Sequence, residues 1–314
     1  PELEVTAIVS MADSGGSSGR LRDKYGALPP GDVLQCLLAL SELPGEVARD
    51  ILRHRFKGGS LEGDNAGNWL LTVLHQMTGS FVEAIRYLEQ ILRCRGQVLP
   101  VTVGNLKLHG RSRQGCVIND EENFDALDQR LAADDQINEV WLEPNALVLG
   151  EAAEALRAAD YVVLSPGDLF SSVIPVLLVS GVREVLSRSS AKLVYVCNLV
   201  TTRGQTDGFT VPDFVLTLEQ YLPRNVDIVC YHSRGIDAER AAQYVREDKA
   251  HPVAVGNLER LDGRMLLPSD YLSKSELVRH APRQLAIILG ILLGQLPQGV
   301  AHQERRQPQV AVVG

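Results

Sequence analysis

Strand-like and helix-like segments alternate through the second half of the chain, and this rhythm predicts an α/β protein: a mostly parallel sheet covered by helices on both faces. A second observation comes from the other end. VTAIVS, at 5–10, is a β-branched, mostly apolar run that stops at a Ser/Gly cluster, as a buried strand does when it feeds a loop. The third is scale. A chain of 314 residues with 45% hydrophobic and 22% charged side chains suits two domains or one large α/β domain, and neither disorder nor a coiled coil.

The loop after the first strand, 11–20, carries Gly15, Gly16 and Gly19. Pro29-Pro30-Gly31 breaks the chain, and Asp32 is placed to N-cap a helix whose apolar positions include Val33, Leu34, Leu37, Leu38 and Leu40. Helices follow over 65–77 and 81–94, the second ended by Gly96. From 97 to 142 short β-like pieces (VLPVTV, LKLHG, CVIND, NEVWLE) lie between polar turns and predict a small β-rich excursion. The α/β rhythm then returns with a helix at 151–159, a strand at 161–165 and a Pro-Gly loop. Helices near 169–178 and 182–187, a strand at 192–197, a polar loop, a helix at 213–221 and a strand at 227–230 complete it. Residues 246–270 lack a clear period, and a long helix is expected over 275–296. The Val-rich run at 309–313 reads as a further strand, and its continuous apolar character predicts a place beside 5–10 at the centre of the sheet.

Thirty-one basic against 39 acidic side chains leave a net charge of −8, which argues against a surface built mainly for nucleic acid or anionic membrane, but not against a local basic pocket. The longest apolar stretch, 285–293, is about half a membrane span. The acidic opening at 1–4 is unlike a secretory signal, so a cytoplasmic protein is expected. Cys36, Cys94, Cys116, Cys197 and Cys230 are scattered without C-x-x-C or zinc-finger spacing and read as reduced core residues. The histidines show no H-x-x-x-H spacing, and neither a G-x-S-x-G elbow nor a Walker lysine motif occurs.

Ligands of open parallel sheets sit beyond the carboxyl ends of the strands, which directs attention to three loops. In the first, glycines at 15, 16 and 19 let amides converge, Ser17 and Ser18 add hydroxyls, and Arg20 and Arg22 can fork onto phosphate. Asp13 at the strand end suits a divalent ion bridging to phosphate oxygens. A plain surface loop fits the same residues equally. The second, Ser165-Pro166-Gly167-Asp168-Leu169-Phe170-Ser171-Ser172, precedes an apolar helix, so its amides with Ser171 and Ser172 suit an anion. Simple capping by Asp168 or Ser171 is the blander alternative. The third, 198–207, offers Asn198, Thr201, Thr202 and Thr206, neutral groups that suit a sugar or nucleobase and equally a polar loop. Asn68, Trp69 and Trp141 have ready structural readings as well.

Taken in order, MADSGGSSGRLR, LPPGDVLQCLLALS, the GNWLL helix start, LSPGDLFSSVIPVLLV and VCNLVTTRGQTDGFT resemble the YvcK-type gluconeogenesis factor family, relatives of 2-phospho-L-lactate transferase (CofD), over most of 1–295. The resemblance implies a single Rossmann-like CofD domain over 1–314 in a cytoplasmic bacterial protein. YvcK-type members bind UDP-sugars such as UDP-N-acetylglucosamine and are linked to cell shape and central carbon metabolism. CofD members transfer a phospholactyl group from a guanosine-diphosphate conjugate to a deazaflavin, with Mg2+.

Carried over motif by motif, Asp13, Gly15, Gly16, Ser17, Ser18 and Arg20 would line the phosphates, with Asp32 and Asn68 beside them and Gly167, Ser171 and Ser172 opposite. Asn198, Thr202 and Thr206 would face the nucleoside or sugar. Arg279 and His280, in LVRHAP, resemble the family's C-terminal R-H pair. Three departures stand out. Asp13-Ser14 replaces the usual two aspartates and weakens a two-carboxylate metal site. Glu62-Gly63-Asp64-Asn65 stands where a histidine is common. The family's opening strand and glycine loop (VVVIGGGTG) has its likeness in QPQVAVVG at 307–314, so either the chain is permuted or Gly314 begins a further domain. The function expected is a nucleotide-sugar-binding regulatory protein, with Mg2+ as the cofactor implied through Asp13. The alternative is a metal-dependent transferase of the 2-phospho-L-lactate type, disfavoured by the lack of a loop aromatic cluster for a deazaflavin. A homo-oligomer suits either.

Overall fold

The computed structural model describes residues 3–15, 20–21, 28–43, 46–124, 126–132, 134–247, 250–275, 278–294 and 307–314. Its strands are β1 (Glu4–Val9), β2 (Gly96–Pro100), β3 (Lys107–Ser112), β4 (Val117–Asn119), β5 (Ile137–Glu143), β6 (Tyr161–Leu164), β7 (Lys192–Val196), β8 (Ile228–His232), β9 (Met265–Ser269) and β10 (Gln309–Val313). Seven of them form one sheet in the order β2-β1-β10-β6-β7-β8-β9, every pair parallel. β10 lies between β1 and β6, with Val310 opposite Val5 on one side and Tyr161 on the other. This is the interior place its continuous Val-rich run predicts, since such a strand needs cover on both faces.

The helices supply that cover. They are α1 (Gly31–Leu40), α2 (Glu46–Arg53), α3 (Ala66–Thr78), α4 (Phe81–Leu92), α5 (Leu127–Arg130), α6 (Gly150–Ala158), α7 (Ile174–Leu178), α8 (Val182–Arg188), α9 (Val211–Glu219), α10 (Ala238–Glu247) and α11 (Pro282–Gly294). Val162, Leu193, Val229 and Ala311 face the larger core, shared with Leu156 of α6 and Phe214 of α9. Their alternate neighbours Val163, Val194, Ile228 and Val310 face a second core closed by Leu285, Leu289 and Leu292 of α11.

Several boundaries differ from the sequence expectation, each for a local reason. Asp32 does not cap α1. The helix starts two residues earlier, after Pro30, and Asp32 sits in its first turn without a capping bond. α4 ends on Arg93 in the left-handed region rather than at Gly96. Gly96 instead opens β2, where a Cβ would lie 2.5 Å from the Val5 carbonyl. The excursion is therefore smaller than 97–142: the first half of VLPVTV is an edge strand of the main sheet, and only β4-β3-β5 form the separate antiparallel sheet. A short apolar run does not reveal which sheet it will join.

β9 was hidden in the aperiodic 246–270 because it carries Pro268, which an edge strand tolerates. The last helix begins at Pro282 rather than 275, since the residue before a proline is steered away from helix. Residues 169–178 are not one α-helix but a π turn, Leu169–Val173, running into α7. Cys197 and Cys230 are buried as expected, whereas Cys116 is exposed on the excursion. Among the described residues, no helix is long and apolar enough to cross a membrane.

Candidate functional site

β1 and β2 step away from β10 on one side and β6 to β9 on the other, so the crevice between β10 and β6 is the switch point of the sheet, where open α/β folds take ligands. Ser165, leaving β6, donates its amide at 2.9 Å and its hydroxyl at 3.0 Å to the Val313 carbonyl. Gly314 is in left-handed space (φ 146°), and a side chain there would overlap the Ser165 hydroxyl.

On the β1 side, buried Ser10, Met11 and Ala12 carry the chain out to Asp13, whose carboxylate accepts the Gly15 amide at 2.9 Å. The excursion reaches over this loop. Glu121 accepts the Ser14 amide at 3.2 Å, and the Ser14 hydroxyl accepts the Glu122 amide at 3.0 Å. A Cβ on Gly15 would lie 3.6 Å from the Asp13 carboxylate and 3.8 Å from that of Glu121, so two acids flank this glycine. Asp32 is the third acid near the loop. It keeps solvent-accessible surface, yet surrounding protein, and then the negative charge of Asp13, push its carboxyl up to about 6. Gly16, Ser17 and Ser18 lie outside the described residues.

Arg20 closes this side. Its Nε and Nη2 donate to Asp64 Oδ1 at 2.9 and 2.5 Å, and Asp64 Oδ2 accepts the Trp69 indole N–H at 3.0 Å. Asn68 is buried in the first turn of α3, its amide capped by Asn65 at 3.1 Å, and its side-chain oxygen has no partner among the described residues. The glycine before it is a packing requirement. A Cβ on Gly67 would overlap Leu34 of α1 and lie 2.7 Å from the Leu52 carbonyl of α2.

On the β6–β7 side the predicted residues meet one another. Asp168 stands at the N-cap position but makes no capping bond; its carboxylate accepts the Thr202 hydroxyl at 2.6 Å instead. Asn198 donates to the Gly167 carbonyl at 2.8 Å and accepts the hydroxyl of fully buried Tyr195 at 3.1 Å. Thr206 accepts the Thr202 amide at 2.8 Å. The Ser172 and Val173 amides both return to the Asp168 carbonyl at 2.8 and 3.2 Å, closing the first turn of the π segment. Ser171 is buried and Ser172 half-buried.

His280 comes to the end of β7, its Nε2 3.1 Å from the Cys197 carbonyl, which can only accept and so assigns the proton to Nε2. Burial holds His280 below the usual histidine range. Arg279 beside it is exposed, its backbone carbonyl accepting the Ser273 amide at 2.8 Å. Sequence reasoning missed Glu121, Asp64 as the Arg20 partner, and Gln205, which is fully buried with neither amide atom partnered among the described residues. Gln205 carried a signal as the second amide of the threonine loop beside Asn198, and Asp64 as part of the segment that stands where a histidine is common.

Among the described residues, no group of three or more His, Cys, Asp or Glu side chains is set to hold a metal. At the opposite, amino end of the strands a cleft of about 700 Å³ is lined by Tyr161, Lys192, Arg224, Asp227, Arg264 and Leu292 among others. Its basic side chains are already paired: Lys192 and Arg224 with Asp227, and Arg264 with Glu219. None of the sequence-derived site residues lines it.

The family model described as 2-phospho-L-lactate transferase CofD matches residues 2–267. The chain is 37% identical over 283 residues to the gluconeogenesis factor of Halalkalibacterium halodurans, covering 88% of this chain and 85% of that one. It is 33% identical over 296 residues to the gluconeogenesis factor of Bacillus subtilis, covering 93% and 91%. A Nostoc relative, 35% identical over 291 residues, is longer: the match covers 91% of this chain and 62% of that protein. The crystal structure of a Bacillus halodurans protein of the UPF0052 family superposes with a TM-score of 0.85 at 35% identity, over 91% of this chain and 90% of that one.

Proposed function

This chain belongs to the CofD family, alongside curated gluconeogenesis factors, and we propose that it is a nucleotide-sugar-binding regulatory protein of the YvcK type. The ligand class is a UDP-sugar resembling UDP-N-acetylglucosamine, the setting is the cytoplasm, and the role is in cell shape and central carbon metabolism. The observation that carries this reading is the asymmetry of the switch point. A partly exposed arginine and two neighbouring carboxylates stand on the β1 side, and on the other neutral Asn198 and Thr202, the latter bonded to the Asp168 carboxylate. The diphosphate meets the loop from Gly15 to Arg20, where Arg20 supplies a charge-assisted fork. The uridine or sugar meets Asn198, Thr202 and Thr206, and Arg279 closes the pocket from the segment before α11.

Asp13 and Asp32 fit Mg2+, which takes one or two carboxylates together with phosphate oxygens and waters. Burial first, and then repulsion from Asp13, raise Asp32; a divalent cation would offset both by favouring the ionised carboxylates, and would in turn neutralise diphosphate charge. With nucleotide present, Asp13→Ala should weaken Mg2+ binding. Unchanged affinity would move the metal elsewhere.

The second reading is a metal-dependent transferase acting on a nucleotide diphosphate conjugate, favoured by the description of the matching family model. A thermal-shift screen separates the two. A ligand at about 100 times its Kd stabilises by roughly 2.7 kcal/mol. UDP-sugars should raise the melting temperature while guanosine and deazaflavin compounds leave it unchanged. Turnover of a guanosine-diphosphate conjugate would favour the transferase instead.

A further inference from the structure

Asp64 has an unusual combination of burial, rigidity and partner. Its side chain is 8% exposed, whereas that of Arg20, which it holds, is 54% exposed. Its backbone is fixed on both sides, the amide donating to Leu61 O at 2.8 Å and the carbonyl accepting from Phe56 N at 2.9 Å. Its two oxygens are divided. Oδ2 is taken by the Trp69 indole, so the carboxylate plane cannot swing, and Oδ1 alone receives both Arg20 bonds. The chain before it turns through Gly63 in left-handed space (φ 79°), close enough that a Cβ there would lie 3.5 Å from Arg20 Nη2.

A guanidinium carries five N–H groups in a planar fork. Asp64 engages Nε and one hydrogen of Nη2, along the side edge of the guanidinium. One hydrogen of Nη1 and the second of Nη2 point along the end edge, the one that matches two oxygens of a phosphate. We propose that Asp64 is a positioning residue for the anion subsite: it orders Arg20 by one edge and leaves the other edge free to fork onto a phosphate. This rests on the assignment of Arg20 to the diphosphate. It adds that the arginine is ordered before the ligand arrives, so less side-chain freedom is lost on binding, and that its charge is delivered by a buried acid 44 residues away in sequence.

The test is a calorimetric titration of UDP-N-acetylglucosamine into the full chain and four variants: Asp64→Ala, Asp64→Asn, Arg20→Ala and the Arg20→Ala/Asp64→Ala double. Asp64→Ala should bind about tenfold more weakly, equivalent to about 1.4 kcal/mol. Asp64→Asn keeps an acceptor without the charge and should lose about threefold. If Asp64 acts through Arg20, the double variant binds no more weakly than Arg20→Ala alone, a coupling that a merely structural role would not produce. Should Asp64→Ala fail to fold, Asp64→Asn alone and combined with Arg20→Ala makes the same cycle. Affinity equal to or tighter than wild type in Asp64→Asn, or additive losses in the double, overturns the proposal. Arg20→Ala binding as wild type overturns the pocket assignment itself; weakened Arg20→Ala with undiminished Asp64 variants overturns only the role of Asp64.

Discussion

On the β7 side of the crevice Asn198 reaches Gly167, Thr202 reaches Asp168 and His280 reaches Cys197. On the β1 side Asp13 and Asp32 crowd each other, Asn68 leaves its oxygen unpartnered among the described residues, and Arg20 keeps more than half of its side chain in water. Both walls draw on Ser, Thr, Asn, Asp and Gly. Both walls tie loop to loop, but the β1 wall also keeps a largely exposed arginine and a buried amide oxygen without a partner among the described residues. A polar residue at a strand end is thus not evidence of a ligand until its partners are known. The β7 wall sets shape, and the β1 wall carries the charge that a ligand would meet.

That contrast predicts that substitutions on the β7 wall cost stability first. The largest effect is expected from Asn198→Ala, which leaves the buried Tyr195 hydroxyl without its oxygen acceptor and frees the Gly167 carbonyl. About 2 kcal/mol of stability should be lost, read as a lower urea midpoint at unchanged slope. Thr202→Val removes the bond to the Asp168 carboxylate and should cost about 1.5 kcal/mol by the same measurement. If both variants unfold like wild type, the bonds of the β7 wall do not hold the fold as the contrast requires.

Asp32→Asn should do the reverse and stabilise. The folded-state carboxyl titrates at about 6, above its unfolded value, so the ionised form is penalised above that pH. The penalty fades as pH falls through 6 towards 4, where folded and unfolded chains both carry the proton. Asp32 is solvent-accessible, so the expected gain at pH 7 is only about 1 kcal/mol after allowing for screening. It should vanish near pH 4. A variant stabilised equally at both pH values, or destabilised at pH 7, would contradict the penalty that burial and the Asp13 charge place on the ionised Asp32. The smallest effect belongs to neither wall: Arg157→Ala breaks an exposed pair with Glu154 on α6 and should change stability by less than about 0.5 kcal/mol.

The sequence was most legible where one residue pattern had one solution. The Val-rich 309–313 run needs cover on both faces, and the structure gives it β1 and β6 as neighbours and a core on each side. β2 and the excursion strands share the same short apolar signature, so composition could not assign them to different sheets. The three loops were legible as places, since each follows a strand of the parallel sheet. Their internal wiring was not. Asn198 and Thr202 find partners 31 and 34 residues away, and Ser14 finds Glu121 at 107. Such pairings depend on which strands become neighbours, and nothing local in GDLFSS or NLVTTRG encodes that.

The central claim is that a nucleotide sugar lies across the carboxyl ends of the strands with its diphosphate on Arg20 and its far end closed by Arg279. Calorimetric titration of UDP-N-acetylglucosamine into wild type, Arg20→Ala and Arg279→Ala tests it most directly. Each variant should bind at least tenfold more weakly, about 1.4 kcal/mol. The ligand-free melting temperature of Arg279→Ala should stay near that of wild type, as expected for an exposed side chain, whereas Arg20→Ala also leaves the buried Asp64 carboxylate unpaired and should melt lower. No heat of binding to the wild type, or variants that bind as tightly as it does, would contradict the claim.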